Sequence, residues 1–414
     1  MQLSRTCRRV ASLAVVLAWA GRASAQRPEE HAPPHLPPDP PAASAEPPAL
    51  ATHPVDVRGS SEVAAYADTD HVYVISPTVA AAVTHPTAGW SVDGRYLVDV
   101  VSAASVDIVS TASRPFHEVR HAGALNGTYK PGDLGASANG AVSSEPDYLS
   151  LSAGGTVSQD LVDRNVTLLA GYGHARDVAG RTGTSFSLFS RTLDTDAIKL
   201  GGTLIVDRAT VFSILGDAIF ESGDPSKPYR YVPLFAPGTV VPRGASPDLV
   251  NRLRTSARVL EQLPLSRERY ALDTRMAHRF DRATLRLDER MYADTWGMKA
   301  TTTDARVLLD LTPRVELGPH LRFHAQSPVS FWQRAYELRA GFDVPAIRTG
   351  DRELGPLVNL TGGASLKWAV GPRATPDAVV LGLEGSVTDT QYLDALYLRT
   401  RLSTLGVLSI EVRR

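Results

Sequence analysis

The sequence predicts an all-β protein: a transmembrane, antiparallel, up-and-down β-barrel of about sixteen strands behind a disordered, proline-rich N-terminal tether. Three observations predict it. Apolar residues recur at every second position, the period of a pleated strand. The alternating runs last about 10 to 13 residues, twice the usual globular strand and matched to a tilted strand crossing a bilayer. The connections alternate between short turns and long loops, as in outer-membrane barrels.

The stretch LVNLTGGASLKWAV, residues 357–370, carries the pattern most clearly. Val358, Leu360, Gly362, Ala364, Leu366, Trp368 and Val370 share one parity; Asn359, Thr361, Gly363, Ser365 and Lys367 share the other. The apolar face packs either on a second sheet, as in a sandwich, or on lipid. Sandwich strands are shorter and their cores favour large inward residues, whereas many apolar-face positions here are Ala and Gly. No internal repeat suggests a propeller or solenoid. The balance favours lipid.

Taken from the N-terminus, Arg5, Arg8 and Arg9 precede the apolar run Val10 to Ala20 and the small residues Ala23-Ser24-Ala25. These are the three parts of a secretory signal, so residues 1–25 are expected to be removed, directing the chain through the inner membrane. The run is too short to span a bilayer as a helix, which takes about 20 residues. The one cysteine, Cys7, lies inside it. The mature chain is therefore expected to have no disulfide and no thiolate metal site. Residues 26–59 are dense in proline and poor in large apolar side chains, and read as an extended periplasmic tether. His31, His35 and His53 within it read as stray side chains, because nothing fixes their geometry.

The barrel is assigned to 60–414. Strands are expected at 61–69, 71–84, 89–101, 117–129, 133–145, 148–160, 164–176, 194–207, 210–222, 267–280, 283–295, 299–311, 314–338, 357–370, 378–390 and 402–413. Short connections then fall around His85 to Ala88, Pro131, Val162, Arg208, Asp281, Pro313 and Gly371 to Asp377. Long ones fall around 102–116, 177–193, 223–266, 340–356 and 391–401. The count closes only if 314–338 is one overlong strand, with Val315, Leu317, Leu321, Phe323, Ala325, Val329, Phe331 and Ala335 on one parity through Pro328, which would sit above the membrane. An even count puts both ends of the barrel in the periplasm. A helix is expected at Ser246 to Leu263. Two features resist the pattern: Glu289 falls on the lipid-facing parity, and the last strand ends in Arg413-Arg414 rather than an aromatic residue.

With the apolar parity outward, the other parity lines a lumen. Arg269, Asp273, Arg275 and Arg279 share one strand; Arg286, Asp288, Arg290 and Asp294 the next; then Asp304, Arg306 and Asp310; then Glu316, His320, Arg322, His324 and Arg334. Directly opposite residues on antiparallel strands lie within about 5 Å, so a lattice of arginine and carboxylate is expected. The wall from 117 to 176 offers Ser, Thr, Gly and Asn instead. Either the charged wall biases which small solute passes, or the pairs stiffen the barrel and hold an inward loop. The 223–266 loop is too long for a structureless connector, and Tyr229, Tyr231, Leu234 and Phe235 let it pack. It is expected to fold over or into the mouth, with Arg243, Arg252, Arg254 or Arg258 meeting lumen carboxylates; an exposed aromatic binding patch is the alternative.

Net charge is -1, from 43 basic and 44 acidic residues, which suggests no nucleic-acid partner. No enzyme motif is present: the glycine clusters sit in strands rather than at phosphate-binding turns, and His117 and His121 have helical spacing on a strand. Glu145, Asp147 and Asp224 fit either a rim calcium ion or ordinary turns. His320, Arg322 and His324 would make a metal or acid-base site only if Glu316 converged on them. No cofactor and no metal are expected. The partners expected are outer-membrane lipid, the barrel-assembly machinery and a small solute.

The segments DTDHVYVISPTV, GWSVDGRYLVDVVSAASVDIVSTAS, SSEPDYLSLS, GDPSKPYRYVPLF and RFHAQSPVSFWQRAY resemble the bacterial family catalogued as domain of unknown function 3570, over about residues 60 to 414. The resemblance implies an outer-membrane β-barrel with no established activity, ligand or catalytic residue, so it assigns no site. The functional expectation is a channel or small-solute binding barrel in the cell outer membrane. A plugged structural or assembly barrel that docks a periplasmic or surface partner is the runner-up, and an enzyme at the rim the third reading.

Overall fold

The computed structural model describes residues 55–103, 116–226, 230–338, 344–371 and 378–414. The expected signal segment, and the tether as far as residue 54, lie outside the described residues. Nineteen strands follow in chain order: β1 (Asp56–Asp68), β2 (Val72–His85), β3 (Trp90–Ala103), β4 (Phe116–Tyr129), β5 (Leu134–Glu145), β6 (Tyr148–Leu161), β7 (Val166–Ala179), β8 (Arg191–Ile205), β9 (Thr210–Gly223), β10 (Tyr231–Phe235), β11 (Arg254–Leu260), β12 (Ser266–Arg279), β13 (Ala283–Asp294), β14 (Lys299–Thr312), β15 (Val315–Gln326), β16 (Tyr336–Glu337), β17 (Leu357–Val370), β18 (Val379–Tyr392) and β19 (Thr400–Arg413). Sixteen of them form one closed antiparallel barrel; β11, β10 and β16 form a separate three-stranded sheet.

Closure comes from β1 pairing with β19, from Arg58 opposite Arg413 to Asp68 opposite Ser403. A closed ladder satisfies every strand's backbone groups and leaves no edge, the condition for a sheet to sit in hydrocarbon. The apolar parity points outward along the wall: Val92, Tyr96, Leu125, Leu151, Leu168, Tyr172, Leu200, Leu287, Leu321, Leu383 and Leu408 are exposed. On β17, Leu366 is 40% and Trp368 51% exposed. A belt like this is far more apolar than a soluble monomer presents. Aromatic residues rim it on both sides: Trp90, Tyr129, Phe212, Phe280 and Trp368 near the short turns, and Tyr73, Phe220, Tyr270 and Phe323 toward the long loops. Such girdles mark the two interfaces of a membrane barrel. No described helix is long and apolar enough to cross a membrane; the strands do so.

Short turns (86–89, 130–133, 162–165, 206–209, 280–282, 313–314) share one end with Asp56 and Arg413, and the long connections share the other. Turns at 69–71, 146–147 and 295–298 are short although they lie at the long-loop end. The barrel begins at Asp56, ahead of the expected boundary at 60.

Two sequence expectations are corrected. The strand expected over 314–338 ends at Gln326, and 327–356 is a long connection. Parity still closes, because one long loop and one overlong strand with a loop leave the same number of crossings. Val329 and Phe331 keep the strand parity but pack elsewhere, in a cluster with Leu263, Trp296, Met298 and Leu354. The helix expected over 246–263 is only α1 (Pro247–Leu253). Ser246 caps it, its hydroxyl accepting from the Leu249 N–H at 3.3 Å, with proline in the first turn. Beyond Leu253 the apolar spacing changes to alternation, and Ala257 and Val259 on β11 pack against Val232, Leu234 and Tyr336.

The loops 224–265, 327–356 and 393–399 thus build a cap with its own apolar clusters. Phe235, Val241, Ala245, Val250 and Leu396 form one, joining the first loop to the last. The 224–265 loop covers the mouth as expected, but its arginines find other partners: Arg243 pairs with Asp394 in the 393–399 loop, Arg254 donates to Asn251, and Arg258 lies over the Tyr231 ring.

Candidate functional site: a charged lumen beneath a cap

Inward side chains change environment halfway along the barrel. On β2, Val72, Val74, Ser76 and Thr78 are buried, while Ala80, Ala82 and Thr84 are half-buried. β19 repeats the pattern, with Arg401, Ser403, Leu405 and Val407 buried and Ser409, Glu411 and Arg413 half-buried. So do β3 and β18, and β17 as far as Lys367. The long-loop half of the lumen is filled and the short-turn half is open.

The cap does part of the filling. A 3-10 turn, Arg352–Leu354, reaches the rim strands. Arg352 pairs with Asp70 in the β1–β2 turn; Glu353 accepts from the Tyr392 hydroxyl at 2.7 Å and pairs with Arg401 at 3.4 Å. From β15, the Gln326 amide donates to the Glu353 and Gly355 carbonyls, each at 2.9 Å. Asp351 pairs with Arg230, which also lies 3.6 Å from Glu261. Segment 349–355 is therefore tied to β15, β18, β19, the β1–β2 turn and the 224–265 loop.

Of the charged residues expected to line the lumen from Arg269 to Arg334, many on β12 to β15 lie in ion pairs, and these reach onto β9. Nearest the cap, Arg267 pairs with Asp294, and Arg269 with Glu221 at 2.6 Å. Arg269 stands opposite Asp294 in the register, yet its ion pair is on β9. One level down, Arg290 joins Asp273 and Asp217, and Lys199 approaches Asp217 at 3.7 Å. Below that, Arg275 holds Asp288 by two hydrogen bonds, at 2.6 and 3.1 Å, with Arg286 at 3.8 Å. Toward the short turns, Arg279 pairs with Asp310, and Glu316 with Lys367 at 3.3 Å. Two-point Arg–carboxylate contacts fix side-chain direction as well as charge. Buried pairs of this kind add little net stability, since desolvation offsets attraction.

His320, Arg322 and His324 face inward and are buried. His324 shares a hydrogen bond with Thr302 at 2.8 Å, while Glu316 reaches Lys367. No group of three His, Cys, Asp or Glu that could hold a metal occurs among the described residues. Asp224 pairs with Arg191 and Asp147 accepts from Thr182. Arg334 is corrected: it lies in the cap, not the lumen wall, paired with Asp394 and donating to the Val241 carbonyl.

Sequence reasoning missed Arg267 at the start of β12, and Lys199, Asp217 and Glu221, which carry the same parity signal on β8 and β9, strands not included in the charged wall. The wall from 117 to 176 is as polar and uncharged as expected at Ser137, Asn139 and Ser152, but Arg120 pairs there with Asp99, which also accepts from Ser76. The cap contacts of Arg352 and Glu353 had no local signal, because their partners are distant in the chain.

Residues 190–379 match the model of a family described as protein of unknown function (DUF3570). The match runs from β8 to the start of β18 and so takes in the charged wall and the cap loops 224–265 and 327–356. It is narrower than the resemblance read from the sequence, which began near residue 60. Comparison with curated proteins gives no match. Among solved structures, the chain is similar to OccK7 (OpdD) of Pseudomonas aeruginosa at 10% identity and TM-score 0.41, covering 87% of this chain and 98% of that one. It is similar to CdiB of Acinetobacter baumannii at 10% identity and TM-score 0.47, covering 86% and 60%. It is also similar to the siderophore receptor PirA of Acinetobacter baumannii, at 11% identity and TM-score 0.39 over 81% of this chain and 53% of that one. The chain spans about half the length of that receptor. No activity or ligand follows from likeness at this level.

Proposed function

We propose that this chain is an outer-membrane barrel for a small solute, with a charged lumen open toward the periplasm and a cap that holds the outer end shut. One observation carries the reading: inward side chains pass from half-buried to buried midway along the barrel, on the side where segment 349–355 is bonded to the rim. A sixteen-stranded barrel is wide enough for an aqueous channel, so closing it takes a dedicated element. The open half is lined by paired charges, a wall that favours a hydrated polar solute over an apolar one.

The second reading is a permanently plugged barrel that serves as a docking platform. The cap's own apolar clusters favour it, since they give the plug independent stability. Conductance of refolded protein in planar bilayers separates the two. A gated barrel is mostly silent as the native chain and shows discrete open steps when Arg352→Ala and Glu353→Ala are combined. Silence of both proteins would favour the permanent plug.

A further inference from the structure

We infer that the outer wall around Glu289 is an interface between two copies of this chain, related by a two-fold axis along the membrane normal. The interface lies on the outside of the barrel and holds whether or not the lumen conducts. Glu289 sits in the middle of β13 on the outward parity, between Leu287 and Met291, both exposed to the bilayer. Two hydroxyls from β14 donate to its carboxylate, Thr301 to one oxygen and Thr303 to the other. An ionised carboxylate offers about four acceptor positions, so each oxygen can accept again. The side chain is half-buried, which leaves it within reach from the side of the wall. Hydrocarbon supplies no water there, and ionisable side chains at such depth pair with one another or face protein.

Thr274 on β12 supplies the complementary donor. It stands directly opposite Glu289 in the register, faces outward and is half-buried. Its hydroxyl has no hydrogen bond among the described residues. A two-fold axis passing between these two positions exchanges them, so that each copy's Glu289 accepts from the partner's Thr274. Depth selects a second copy as the occupant. Every copy inserts with its short turns toward the periplasm, so the axis brings donor and acceptor within about one strand spacing of the same depth, roughly 5 Å. Lipid offers only acyl chains at that level. The flanks let two walls approach closely, because small outward residues stand opposite the large ones: Gly216 opposite Leu272, and Ala305 opposite Leu287.

The test is sedimentation equilibrium of refolded full-length protein in density-matched detergent, joined to thiol cross-linking in lipid vesicles. A dimer is the expected result, weakened about tenfold or more by Glu289→Leu and by Thr274→Val, with Glu289→Gln retaining part of the association. Glu289→Leu takes a carboxylate out of lipid, so its folded monomer should be no less stable than the native one. Retention of the folded barrel's faster electrophoretic mobility checks each variant. In a Cys7→Ser background, Leu272→Cys or Leu287→Cys should cross-link between copies, and Leu383→Cys, on β18, should not. A chain that stays monomeric at every concentration, association of equal strength in Glu289→Leu and the native protein, or cross-linking through position 383 instead of 272 and 287 would overturn the interface. Conductance enters none of these readings, so a silent barrel that dimerises would sink the channel reading and leave this one standing.

Discussion

Leu366 and Ser365 are adjacent in the chain and opposite in environment: Leu366 is 40% exposed on the outer wall, while Ser365 faces the lumen beside Gly318. Leu366→Arg is expected to cost about 2–4 kcal/mol of folding free energy in lipid vesicles, with Ser365→Arg well below that, read from denaturant refolding curves. Similar costs for both would contradict the assigned parity. Glu289, the carboxylate on the outer wall, accepts hydrogen bonds from the hydroxyls of Thr301 and Thr303, which partly answer its desolvation. In the β8–β9 turn, the Ala209 N–H and the Thr210 hydroxyl hold the Asp207 carboxyl below the ordinary aspartate range. A lowered value means stability that is present above the unfolded-state range and lost as the pH falls through the folded one. Asp207→Asn should therefore lower the unfolding midpoint at neutral pH and leave it unchanged in strong acid. Gly89 is fixed by geometry: its φ is +73°, and an added Cβ would lie 2.4 Å from the Lys130 carbonyl oxygen. Gly89→Ala is expected to slow refolding or lower stability by about 1–3 kcal/mol.

Among the elements, the cap is the part that one side chain can loosen. Trp296 in the β13–β14 turn donates to the Ser266 carbonyl at 2.8 Å, packs edge-on against Phe331 at 5.3 Å, and lies under the Arg267 guanidinium. Trp296→Ala should cost about 3–5 kcal/mol locally and speed proteolysis within 224–265 and 327–356, while the barrel strands stay protected. Equal protection of the cap in both proteins would contradict its dependence on this cluster. The barrel strands were legible because lipid outside and water inside impose period 2 on every crossing, and β17 was read to the residue. Where that two-phase environment ends, the reading fails. Beyond Gln326, alternation persists through Val329 and Phe331 because a folded cap also rewards burying every second side chain, so the strand was drawn too long. The helix was drawn too long for the converse reason: β11 pairs with β10, a contact no local propensity reports. The lumen arginines were found from parity alone, but parity cannot say which carboxylate each arginine takes, and Arg269 chose Glu221 over Asp294.

At the scale of the molecule, one face of every barrel strand meets hydrocarbon and the other encloses a polar axis, filled at the long-loop end and open at the other. The ion pairs along β12 to β15 and the cap all depend on that orientation. Site-directed spin labelling on β17 in lipid vesicles tests it most directly, with Cys7 replaced so that each label is unique. Labels at 364, 366 and 368 should relax with oxygen dissolved in the bilayer, and labels at 363, 365 and 367 with a water-soluble nickel complex, in strict alternation. Uniform access along the strand, or labels at 366 and 368 shielded from both reagents, would contradict the barrel in lipid and everything built on it.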